Sequence, residues 1–207
     1  MAKSIVLMLS LWAGCLFAVP SPAAQFDLAA LSCDKYENEI VGSAPDASQA
    51  PSSAASSAAA TQRPDAIDTV MWLFGFSVAA AGDHMMYGDA LAQFGFALDA
   101  ECKNHPTSSL LQAVTSVKPN RDKPMDLTVL NCAEFESRHA ESARSDAESA
   151  NTIMMWLFGF SVGLSGSHIF DSGGVKPFAA ALQTRCSQNP NDSLFQSLSA
   201  VARPAAR

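Results

Sequence analysis

This sequence predicts an all-α protein built from two tandem, small, disulfide-stapled helical units of about four helices each. Three observations carry that expectation. The octapeptide Met71 to Val78 (MWLFGFSV) recurs unchanged as Met155 to Val162, so one structural unit is written twice. Four of the five cysteines fall at matching places, and the separation from tryptophan to the next cysteine is 30 in both copies, Trp72 to Cys102 and Trp156 to Cys186. Through both copies the large apolar residues recur at helical spacing. From the tryptophans onward the register between copies is 84, pairing His84 with His168, Phe94 with Phe178, Leu98 with Leu182 and Pro106 with Pro190. Upstream it is 99, pairing Asp27-Leu28 with Asp126-Leu127, Cys33 with Cys132 and Glu37 with Glu136, so copy one holds 15 extra residues between its first cysteine and its tryptophan.

Residues 1–23 have a lysine at position 3, an apolar run from Ile5 to Val19, then small residues and prolines, the pattern of a secretory signal peptide. The run is too short for a membrane-spanning helix. Cleavage is expected after Ala23 or Ala24; lipoprotein processing at Cys15 is the rival reading, disfavoured by the bulk of Trp12. Export to the periplasm would remove Cys15 with the signal and leave four cysteines, an even number in an oxidising compartment. Of the three possible connectivities, Cys33 to Cys102 and Cys132 to Cys186 alone make each copy self-contained. Each bridge should stabilise its unit by about 3 to 5 kcal/mol in the chain-entropy model. That matters for units of about 80 residues, where one core is marginal.

The first unit is expected over 26–117 and the second over 125–202, joined by a linker at 118–124 that holds two prolines and four charges. In the first, residues 42–64 (GSAPDASQAPSSAASSAAATQRP) are too poor in large apolar residues to fold alone and read as a disordered insertion. Residues 203–207 read as a tail. Ser32 and Asn131 stand before the first cysteines as N-caps, and Asn131 with Glu134 has capping-box spacing. A second helix is expected from about Asp65 to Gly82, and again from about Glu148 to Gly166. It is apolar on nearly every side, so it belongs at the centre of its unit. A third places Leu91, Phe94, Leu98 and Cys102 on one stripe, matched by Val175, Phe178, Leu182 and Cys186. A fourth is expected to open at His105-Pro106 and Asn189-Pro190, with proline at its first position.

Glycine inside a helix costs about 1 kcal/mol relative to alanine. At Gly75 and Gly159 it therefore needs a reason, and close packing is one: Gly75 with Ala79, and Gly159 with Gly163, form small faces that admit a neighbouring backbone. The neighbour is expected within the same unit, in preference to the other copy or another chain. Trp72 and Phe76, with Trp156 and Phe160, are read as core around these glycines, as is Phe74, rather than as an aromatic ligand box.

Chemistry is sparse. Gly159-Phe160-Ser161-Val162-Gly163 matches GxSxG, but a nucleophile elbow needs a strand turning into a helix and this stretch lies mid-helix. His84 and His168 follow the central helices and are read as residues interacting with the helix dipole. Asp99 and Glu101 have Gln183 and Arg185 as counterparts, an exchange that suits solvated surface better than a catalytic dyad. No catalytic, metal or cofactor site is expected. The net charge of −7, or −8 once Lys3 is removed, argues against nucleic acid as a partner.

The ordered set of motifs resembles the HdeA/HdeB-like periplasmic proteins. It comprises the helix starts Ser32-Cys33-Asp34-Lys35-Tyr36 and Asn131-Cys132-Ala133-Glu134-Phe135, the tryptophan-glycine-phenylalanine pattern of Trp72 to Phe76 and Trp156 to Phe160, and Cys102 to Pro106 with Cys186 to Pro190. The resemblance covers nearly the whole exported chain, twice. It implies a helical fold with a disulfide joining the first and third major helices, and a role as an acid-stress chaperone. The best-known members are dimers near neutrality that dissociate and partly unfold in strong acid to hold denaturing clients. Fusion of two units would replace the homodimer with an intramolecular pair. Proteins are thus the implied partners, either unfolded clients or one dedicated partner such as a toxin that an immunity protein neutralises, and no stable membrane insertion is expected.

Overall fold

The computed structural model describes residues 24–42, 66–87, 90–118 and 124–202. The segments expected from sequence to be a signal peptide (1–23), most of the insertion (after Gly42), most of the linker (119–123) and the tail (203–207) lie outside them. The first unit runs β1 (Gln25–Asp27), α1 (Cys33–Tyr36) with a π-helical turn over Glu37–Val41, α2 (Ala66–Ala80), β2 (Met85–Tyr87), α3 (Leu91–Asn104) and α4 (Leu110–Ser116). The second repeats the order as β3 (Pro124–Asp126), α5 (Cys132–Ser145), α6 (Ala147–Leu164), β4 (Ile169–Asp171), a 3-10 turn over Ser172–Gly174, α7 (Val175–Gln188) and α8 (Leu194–Ala202). Among the described residues the fold is all-α apart from four three-residue strands.

Local chemistry sets the helix ends. The Ser32 hydroxyl accepts from Lys35 N–H at 3.4 Å and the Asn131 side chain from Glu134 N–H at 2.9 Å. Glu134 does not complete a capping box in the geometry seen; its carboxylate turns to Arg138 one helical turn on. The central helices stop where expected, because Gly82 and Gly166 take φ of 72° and 73°, a left-handed conformation natural to glycine.

The fourth helices do not begin at the prolines. His105 and Asn189 are C-caps of α3 and α7, and α4 starts four residues beyond Pro106, where Ser109 accepts from Gln112 N–H. Proline suits the residues just after a helix end as well as a first helical position, and here each proline carbonyl has a further partner. Pro106 accepts from Asp34 N–H and Pro190 from Ala133 N–H, both at start of a cysteine-bearing helix.

Each unit is tied covalently and by backbone. Disulfides join Cys33 to Cys102, between α1 and α3, and Cys132 to Cys186, between α5 and α7, with Cα separations of 4.9 and 5.0 Å. Cys33 N–H donates to Ser108 and Leu110 N–H to Leu31; the same bonds recur from Cys132 to Asp192 and from Leu194 to Leu130. The third-helix stripes are buried at Phe94, Leu98 and Cys102 and at Phe178, Leu182 and Cys186.

The strands cross between units, and sequence periodicity did not foretell them. β1 pairs antiparallel with β4, setting Phe26 opposite Phe170, and β3 pairs with β2, setting Met125 opposite Met86. Each unit's first strand therefore completes a two-stranded sheet with the strand after the other unit's central helix. Pro124, placed in the linker by its proline and charge content, is the first residue of β3, a position where proline's missing N–H is tolerated.

Candidate functional site: the contact between the units

The two central helices meet through their glycines. A β-carbon added at Gly75 would collide with the carbonyl oxygen of Trp156 and lie 2.9 Å from the Phe160 nitrogen. One added at Gly159 would collide with the Trp72 carbonyl and lie 3.0 Å from the Trp72 Cα. At Gly163 it would meet Phe76 O at 2.9 Å and Ala79 Cβ at 2.8 Å. Residue numbers rise together along both helices in these contacts, so α2 and α6 lie parallel.

The neighbour of each glycine thus belongs to the other unit, which corrects the expectation of packing within one unit. Duplication supplies the reason. It puts the same small-residue face at the same register on both helices, and two identical faces can seat each other about an approximate twofold axis, as in an isologous dimer.

Aromatic side chains close the contact. Trp72, Trp156, Phe74, Phe160 and Phe170 are essentially inaccessible to solvent. Phe170 of the second unit meets Trp72 edge-on at 5.1 Å, and Phe74 meets Trp156 edge-on at 6.3 Å. Inside each helix the tryptophan stacks on the phenylalanine four residues on, at 5.6 Å for Trp72–Phe76 and 5.2 Å for Trp156–Phe160. Neither buried indole N–H meets an acceptor among the described residues. An unsatisfied buried donor costs about 1 to 3 kcal/mol, so the contact is apolar at some expense in stability.

At its rim lie two reciprocal histidine–aspartate pairs. His168 Nε2 is 3.4 Å from Asp27 Oδ1, and His84 Nε2 is 3.7 Å from Asp126 Oδ1. The histidines, read from sequence as helix-dipole partners, instead face aspartates of the other unit. Strand exchange brings them there: Leu28 N–H donates to the His168 carbonyl and Leu127 N–H to the His84 carbonyl, locking each aspartate's strand end against a histidine. Each aspartate also caps its own turn, Asp27 accepting from Ala29 N–H and Asp126 from Thr128 N–H.

Electrostatics here depend on ionised carboxylates. Hydrogen bonds from the Thr128 hydroxyl and backbone, and more weakly the facing His84, hold the Asp126 carboxyl below the usual aspartate range. Asp146, N-cap of α6, is held low in the same way by the Ser149 hydroxyl and N–H and by Glu148 N–H. Burial, with the neighbouring Asp99 charge, pushes Glu37 up.

The remaining candidate residues are placed plainly. Ser161 is buried inside α6, far from any strand-to-helix turn, and Ser77 at the matching site of α2 donates to the Phe74 carbonyl. Glu101 faces His105, and Asp99 is bonded to Lys103 while lining a groove beside Glu37. That groove was not legible, because its walls come from three helices and the carboxylates stand 62 positions apart. Among the described residues there is no cluster of metal-ligating side chains and no helix long and apolar enough to cross a membrane.

With this geometry in view, one comparison bears on kinship. Residues 111–196 match the model of the HdeA/HdeB family. The matched stretch runs from α4 through β3, α5, α6 and α7 into α8, so HdeA-like character is supported for one copy, the second. No curated protein and no solved structure matches the chain.

Proposed function

We propose that the protein is an exported HdeA-like holdase of acid or envelope stress, in which both copies are HdeA-like units and acid separates them to expose a client-binding surface. One observation supports the reading: the units meet through a buried aromatic contact whose rim sets Asp27 and Asp126 each against a histidine of the other unit, His168 and His84. Protonating Asp126, whose carboxyl the Thr128 hydrogen bonds hold below the usual aspartate range, weakens the rim while leaving the disulfides intact. In strong acid the twelve Lys and Arg with four His would give the exported chain +16, against −8 near neutrality, and self-repulsion would push the units apart. Opening uncovers Trp72, Trp156, Phe74 and Phe170 together, an apolar patch suited to unfolded protein. Because both units belong to one chain, they would remain at an effective concentration of order mM and re-pair on neutralisation without a bimolecular encounter.

The test is aggregation of an unrelated acid-labile enzyme. The exported form should suppress it at low pH and do little near neutrality. Capture of a single partner at neutral pH, with no general protection in acid, would replace this reading with that of a dedicated binding module such as an immunity protein.

A further inference from the structure

The two units are each other's control. Matching positions lie in the same fold, so a residue present in one copy and absent from the other is not required by that fold. Between the first, second and third helices each unit has a groove of about 480 Å³. Three positions of the second unit carry Asn151, Lys176 and Ala180, the last of them lining its groove. At the same register the first unit carries Ile67, Ala92 and Phe96, and it leaves Phe96 75 % and Ile67 55 % exposed. Exposing two large apolar side chains is unfavourable by itself, and the copy with asparagine and alanine shows that the fold manages without them.

The floor differs as well. Glu37 and Glu136 match, but Asp99 in the first unit stands where the second has Gln183. The first groove thus sets two carboxylates beside its apolar wall. One oxygen of Glu37 and one of the matching Glu136 are shielded from solvent with no donor among the described residues, so the difference between the groove floors is the added Asp99 carboxylate, bonded to Lys103 at 2.8 Å. Burial and the Asp99 charge raise Glu37 above its usual value and Lys103 only partly offsets them, so the groove favours a further positive charge.

The geometry points to a peptide-binding site in the folded first unit, formed by Glu37, Ile67, Val70, Leu91, Phe96 and Asp99, that takes a large apolar side chain next to an arginine or lysine of a partner protein. Charge complementarity selects the basic residue, and an exposed aromatic ring such as Phe96 is a partner a guanidinium can stack on. The chain's own residues 43–65 lack a large apolar side chain to fill the groove. This site needs intact helices at neutral pH, so it stands apart from acid opening of the contact between units.

The probe is a fluorescein-labelled peptide, Leu-Arg-Phe-Leu-Arg, compared by anisotropy near neutral pH with Leu-Glu-Phe-Leu-Glu on the full exported chain. The arginine peptide should bind and the glutamate peptide should bind at least about tenfold more weakly. Giving the first unit the second unit's residues, Ile67→Asn, Phe96→Ala and Asp99→Gln, should weaken binding of the arginine peptide by a similar factor while helicity is kept. The reverse graft, Asn151→Ile, Ala180→Phe and Gln183→Asp, should raise the stoichiometry from one peptide to two, and it answers the question even if the first variant fails to fold. Absence of binding, equal binding of both peptides, or indifference to both grafts would overturn the proposal. So would sedimentation showing a dimer that Phe96→Ala returns to monomer, since the occupant would then be a second copy.

Discussion

Gly75 and Gly159 are the residues on which the contact between units turns, because what faces each is backbone. A flexible side chain would yield to a new methyl; the carbonyls of Trp156 and Trp72 cannot move without moving their helices. Gly75→Ala should therefore destabilise the protein by about 1 to 3 kcal/mol, as overpacking does, even though alanine is the better helix former. Thermal unfolding followed by circular dichroism would show it as a lowered Tm, and an unchanged or raised Tm would refute the close approach. Asp126 carries the clearest pH dependence. Its folded pKa lies below the unfolded value, so its stabilisation is present above the unfolded pKa and is lost as pH falls through the folded one. Asp126→Asn should lower stability near neutrality and flatten the loss of stability below about pH 4, read from denaturant midpoints at several pH values. Glu37 acts with the opposite sign. Its raised pKa favours the fold in acid and disfavours it as pH rises through the unfolded pKa, so Glu37→Gln should raise the midpoint near neutrality and change it little in strong acid.

At the scale of elements, the helices were legible and the strands were not. Central helices that are apolar on all sides announce their burial, and Gly82 and Gly166 mark their ends. The three-residue strands β1 to β4 are too short for an alternating pattern to register, and their partners lie in the other unit, where sequence gives no local signal. The same limit explains the glycines: a small face shows that something packs closely, and only the tertiary fold shows that its partner is the same face of the other copy. His84 and His168 were visible as matched residues, whereas the aspartates they face come from the opposite end of the other copy. The first unit's groove leaves no mark in the sequence, because the alignment of the copies sets Asp99 against Gln183 and carries no signal of its spatial neighbour Glu37. The disulfides act at this scale too. In the chain-entropy model, the bridges spanning 69 and 54 residues should each contribute about 4 kcal/mol. Replacing Cys132 and Cys186 together by serine should lower the melting temperature of the second unit's helices most, resolved by hydrogen exchange; uniform loss of protection across both units would mean that they unfold as one.

For the whole molecule, the account makes the chain its own dimer, with the aromatic contact and exchanged strands that two separate subunits would otherwise share. Near neutrality it should sediment as a monomer of one chain, and a concentration-dependent dimer would show that the apolar surface is covered by another molecule. The most direct test of acid opening is tryptophan emission through an acid titration and back, since Trp72 and Trp156 both sit buried where α2 meets α6. The account predicts a shift to longer wavelength in acid that reverses on neutralisation at a rate independent of protein concentration. Emission that stays at its buried wavelength at a pH where clients are held, or a return that speeds up with concentration, would contradict it.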